Sequence, residues 1–126
     1  MVDPLRALTV SVIQKLDEAG SVLYICPQNM QEYRQVLTRP RTSNGLGLNS
    51  AEVASRMNRL EAEFTLVPES PAIYPLWHKI VETAQSVGRA NFDARLVAVA
   101  KSAGIGAVLT YEAAAFAKYA AQTRPL

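Results

Sequence analysis

The apolar positions of this chain switch repeatedly between a helical and a strand-like rhythm. Leu5, Leu8, Val12 and Leu16 recur at helical spacing. Asp3 followed by Pro4 supplies a cap and a first-turn residue, and Gly20 closes the run. Residues 21–27 are short, apolar and in part β-branched (Val22, Leu23, Tyr24, Ile25), which predicts a buried strand. Met30, Tyr33 and Leu37 form the next stripe, which Thr38, Arg39 and Pro40 end, because a residue before proline avoids helical geometry. Residues 41–48 read as the only long flexible stretch. Asn49 with Glu52 has capping-box spacing ahead of a helix carrying Val53, Met57, Leu60 and Phe64. A second strand follows over 64–69. Pro71 and Pro75 mark a loop and the start of a helix that buries Leu76, Ile80 and Ala84. A further helix spans about 91–103 and ends at Gly104; 106–110 is a third strand, 112–119 a last helix and 122–126 a tail.

Strands separated by helices imply parallel pairing through right-handed crossovers, with helices on both faces of the sheet. The expected fold class is therefore α/β. The functional crevice of such a sheet lies beyond the carboxyl ends of its strands. Glu32 follows the first predicted strand and Glu112 the third, so both sit at that edge.

The length of 126 residues suits a single domain, taken as 1–126, with no linker and no internal repeat. With 49% hydrophobic residues it has the material for a core that buries roughly two-thirds of the unfolded surface. Thirteen Lys and Arg against eleven Asp and Glu give a net charge of +2, a weak pointer to an anionic partner. One cysteine, Cys26, excludes an intramolecular disulfide, and its apolar flank predicts a packed thiol. Asp3, Arg6, Lys15 and Asp17 interrupt what a secretory segment would keep apolar, and no run approaches the ~20 residues of a membrane span. The expected location is cytoplasmic, with no membrane partner.

Mg2+ and Mn2+ prefer hard oxygen ligands, usually a few carboxylates with water completing the shell. Glu32, Asp93 and Glu112, at strand ends or first helical turns, are placed to supply them. The competing explanation is that any α/β domain carries acids at helix starts, where the macrodipole stabilises them. Arg34, Arg39 and Arg41 cluster near Glu32 and are candidates for RNA phosphate contacts, or else a solvated face. Arg95 suits a structural ion pair as well as a substrate contact. His78 reads as a surface residue, Trp77 and Leu76 as core or dimer surface rather than a base-stacking platform, and Tyr33 as packing. One histidine and one buried cysteine leave no credible nucleophilic triad, and Gly45 and Gly47 lack the lysine and the preceding strand of a phosphate loop.

The local sequences add to this. The stretch 25–40, ICPQNMQEYRQVLTRP, resembles the second strand and following helix of the PIN-domain family, and within it the VapC-type nucleases of toxin–antitoxin pairs. The stretch 87–100, VGRANFDARLVAVA, resembles that family's Asp-Ala-Arg-Leu helix start. The stretch 104–112, GIGAVLTYE, continuing to Phe116, resembles its Leu-Leu-Thr-Phe-Asn or Thr-Asn-Asp segment. The resemblance covers nearly all of 4–120. It implies a three-layer sandwich around a mostly parallel central sheet. It assigns site acids to Glu32 and Asp93, with Glu112 where the family usually has Asn or Asp. It further implies a divalent-metal-dependent endoribonuclease, an RNA substrate, a cognate antitoxin and a homodimer.

The family begins with a strand ending in Asp-Thr-Asn or Asp-Ser-Asn, central in the sheet, whose aspartate is a principal metal ligand. This chain opens in what resembles the following helix, so the expectation is that this strand and ligand are missing. Asp3 precedes a helix and does not replace them. The strands at 21–27 and 106–110 would then close on each other, accept another chain or leave a distorted sheet, unless the reading frame is a shortened one. Two functions follow: a ribonuclease with weak metal binding and little or no activity, or a non-catalytic protein- or RNA-binding module on the same scaffold.

Overall fold

The computed structural model describes residues 4–110, 119 and 123–125. These fall into two compact units, one drawn from Met1–Val22 with Glu69–Leu126, the other from Leu23–Pro68.

The Leu23–Pro68 unit contains β1 (Tyr24–Ile25), α2 (Pro27–Thr38), α3 (Ser50–Glu63) and β2 (Thr65–Leu66). β1 and β2 pair in parallel, with Tyr24 opposite Thr65 and Ile25 opposite Leu66. The strand expected over 21–27 is thus two residues long. Proline at position 27 is the reason: it has no N–H to give a sheet and its fixed φ suits the first residue of α2. Cys26, buried as expected, caps that helix, and its N–H donates to Asn29 Oδ1 at 2.9 Å. Met30 and Leu37 are buried on α2 and Val53 on α3. Asn49 caps α3, its Oδ1 accepting from the Glu52 N–H at 2.9 Å, as the spacing predicted.

Residues 41–48, the expected flexible stretch, are instead tied back to the end of α2. Arg39 leaves the helix in an extended conformation ahead of Pro40, a short 3-10 turn spans Arg41–Ser43, and the chain folds back on α2. The Leu46 N–H donates to Val36 O at 3.0 Å, Gly47 to Arg39 O at 2.9 Å and Leu48 to Leu37 O at 2.9 Å. These bonds satisfy carbonyls that the end of an α-helix leaves open. A Cβ at Gly45 would collide with the Arg39 backbone, so this close approach requires glycine.

The other unit holds α1 (Pro4–Glu18), α4 (Ile73–Ala84), α5 (Ala90–Ser102), β3 (Val108–Thr110) and β4 (Thr123–Pro125). α4 packs on α5, and Val81, Ala94, Val97 and Tyr119 form a buried cluster edged by Trp77, Ile80, Ala84, Leu96 and Val108. Ala94 and Ala98 are fully buried one helical turn apart, their small side chains letting neighbouring elements approach α5 closely. The hydroxyl of Tyr119 donates to Ala90 O at 2.8 Å and shares a hydrogen bond with Ser86 Oγ at 2.9 Å. It thereby ties down the link between α4 and α5, where Gln85 takes a left-handed conformation. The tail expected after 119 contributes β4, which pairs in parallel with β3.

The order of elements from Pro4 to Thr110 follows the order read from the sequence, and both strand pairs are parallel as expected. The described strands form two sheets of two strands each. No helix among the described residues is long and apolar enough to cross a membrane.

Candidate functional site

Asp93 stands in the first turn of α5. The local sequence explains the placement: Gly88 at φ 58° breaks the chain before the helix, and Asn91 and Phe92 donate their N–H groups to Gly88 O and Arg89 O at 3.1 and 2.9 Å. Asp93 is a half-buried residue, and among the described residues its carboxylate makes no hydrogen bond or ion pair. The amino end of the helix favours its charge.

Glu32 lies in α2, exposed, with Oε1 accepting from Gln28 Nε2 at 3.3 Å. It belongs to the Leu23–Pro68 unit and Asp93 to the other. Glu112 lies outside the described residues, as do Asp3 and Phe116. Among the described residues, no group of three or more His, Cys, Asp or Glu side chains is gathered as a metal-ligand set.

The three arginines differ in what they touch. Arg34 is exposed on α2. Arg39 Nη2 donates to Asn44 O at 3.1 Å, and its Nε is buried without a partner. Arg41 Nε donates to Leu46 O at 3.4 Å. Arg39 and Arg41 therefore each hold the 39–48 turn together with one donor, and a guanidinium has five.

Arg95, two residues after Asp93, bonds Glu69 Oε2 through Nη2 at 2.6 Å. This contact ties α5 to the segment that leads into α4. His78 is a surface residue as expected, 3.5 Å from Glu82 across one helical turn. Trp77 is half-buried and donates its Nε1–H to Asn91 O at 2.7 Å, another tie between α4 and α5.

Sequence reasoning missed a groove of about 1020 Å3 lined by α4, α5 and the chain just before α4. Tyr74, Trp77 and Phe92 are among its walls, with Ile73 and Val81 buried beneath. The available signal was the width of the apolar face of α4. Ile73, Tyr74, Trp77, Ile80 and Val81 are more than one packing stripe consumes, and Tyr74 remains exposed.

Compared with known protein families, residues 6–122 match the model described as PIN domain. No curated protein and no solved structure matches the chain.

Proposed function

The chain belongs to the PIN domain family, and on that premise we propose that it is a weakly active divalent-metal-dependent nuclease of RNA, the toxin member of a toxin–antitoxin pair. The observation that carries this reading is Asp93: a half-buried residue at the start of α5, within the matched segment, its carboxylate without a partner among the described residues. A charged group taken partly out of water normally finds a counter-charge, and a hard carboxylate with none suits a hard cation.

Glu32 is the second proposed ligand and Glu112 the assisting acid. The donor chemistry of these residues fits Mg2+ or Mn2+. When bound, such an ion stabilises charge on a phosphodiester and makes water more acidic. Asp93 and Glu32 would hold and orient the ion, and by themselves two carboxylates hold it weakly. Arg34, Arg39 and Arg41 would contact phosphates of the RNA and fix its register without reading sequence. A homodimer, a cognate antitoxin and a cytoplasmic location complete this reading.

The second reading, a non-catalytic binding module, draws support from the exposed aromatic side chains of the α4–α5 groove, which no part of the hydrolysis needs. One assay separates the two. A labelled single-stranded RNA is incubated with the chain and Mg2+ or Mn2+, alongside Asp93→Ala and Glu32→Ala variants. Metal-dependent cleavage that both substitutions reduce to background supports the nuclease. Cleavage that survives Asp93→Ala refutes the assignment of that residue, and no cleavage with either metal favours the binding module.

A further inference from the structure

We propose that the α4–α5 groove is a docking site for a cationic peptide segment, one that lays an arginine or lysine set among apolar residues against Tyr74, Trp77, Phe92 and Glu82. The inference is independent of whether the chain cleaves RNA, since it uses neither Glu32 nor Asp93.

The walls are aromatic and open. Tyr74 is 67% exposed and Phe92 64%, and both line the same groove. Large apolar rings this exposed on neighbouring elements mark an interaction surface, and the faces of such rings attract cations. The walls are also held in place. The Tyr74 ring stacks on His78 at a centroid distance of 6.0 Å and lies tilted to Trp77 at 5.8 Å. Trp77 is fixed in turn by its bond to Asn91 O. A site built this way loses little side-chain freedom when it is filled.

The charge selects the partner. The whole chain carries +2, yet among the described residues the groove lining bears one formal negative charge, from Glu69 and Glu82 against Arg95. Arg95 is already committed to Glu69 at 2.6 Å. Among the described residues, Glu82, with its side chain 74% exposed, meets only His78, at 3.5 Å. An open carboxylate beside aromatic faces suits a guanidinium or ammonium and repels the phosphates of a nucleic acid. About 1020 Å3 accommodates several side chains, which favours a peptide segment over an isolated cation.

Trp77 is the only tryptophan of the chain, so its fluorescence reports the groove wall and the core it adjoins. The full chain is titrated with the capped peptide acetyl-Leu-Ala-Arg-Leu-Ala-amide, with the same peptide carrying glutamate for arginine, and with a short oligouridylate. The arginine peptide is expected to change the emission saturably, and the glutamate peptide to bind at least about tenfold more weakly. Glu82→Gln and Tyr74→Ala should each weaken the arginine peptide about three- to tenfold, the size of one exposed ion pair or cation–π contact. Both positions are exposed, and circular dichroism of each variant is the control for a kept fold. Equal binding of the two peptides, indifference to Glu82→Gln, or no saturable response to the arginine peptide overturns the proposal. So does a response to oligouridylate in its place, which would make the groove a base-stacking surface.

Discussion

Replacing Gly45 with alanine puts a methyl group into the backbone of Arg39, where no rotamer change can make room. Backbone must move, and the bonds nearest the clash are Gly45 N–H to Pro40 O at 3.0 Å and Gly47 N–H to Arg39 O at 2.9 Å. Overpacking of this kind costs about 1–3 kcal/mol. Each of the two hydrogen bonds is worth about 0.5–1.5 kcal/mol net, less where water replaces the partner. The expected loss is therefore about 2–4 kcal/mol, or a fall in Tm of roughly 6–15 °C for a chain of this size. Gly106→Ala is the control, because a Cβ there meets nothing within 4 Å. It should leave stability unchanged or raise it by up to about 1 kcal/mol through the unfolded state. Thermal melts followed by circular dichroism give both numbers. Amide exchange adds a local reading: the N–H groups of Leu46, Gly47 and Leu48 should be protected in the parent chain. A Gly45→Ala melt within about 2 °C of the parent, or free exchange at those three amides, would refute the folded-back turn and restore a flexible stretch.

Tyr119→Phe removes the hydroxyl that serves Ala90 O and Ser86 Oγ while keeping the ring in the cluster, so denaturant titration should show a loss of about 1–2 kcal/mol. Arg95→Ala should cost about 1 kcal/mol or less, because the Glu69 pair is partly exposed, and the difference should shrink in high salt; an effect several times larger would show that the pair does more than tie two segments. Asp93→Asn should change stability by less than about 1 kcal/mol, the helix-terminus contribution alone, while abolishing any metal-dependent cleavage; a large stability loss would mean the carboxylate has a structural partner. Trp77→Phe should lower stability by about 1–2 kcal/mol by leaving the Asn91 carbonyl without its donor, again by denaturant titration.

The helices that carry the candidate residues were legible as far as local signals reach. That Asp93 opens a helix could be read from the glycine before it and the apolar run after it. Glu32 could likewise be placed on a helix that Pro40 stops, while Pro27, read as the end of the preceding strand, proved to be that helix's first residue. The partners of Arg39, Arg41 and Arg95 could not be read. Arg39 and Arg41 meet carbonyls of a turn whose shape depends on Gly45, and Arg95 meets Glu69 across 26 residues. The groove escaped for a related reason. Periodicity marks Tyr74 and Trp77 as apolar positions on α4, but which of them the neighbouring helix covers depends on how α5 packs.

The sequence by itself determined the order of elements from Pro4 to Thr110, the approximate extent of the helices among them, and the burial of Cys26 and Val53. These follow from caps, prolines and spacings that act within a turn or two of chain. Only the tertiary structure decided that β1 pairs with β2 and β3 with β4, that 39–48 folds onto the end of α2, and that aromatic side chains remain open beside Glu82. Those outcomes depend on which distant backbone groups and surfaces meet, and the contacts that select them are absent from any local stretch of residues.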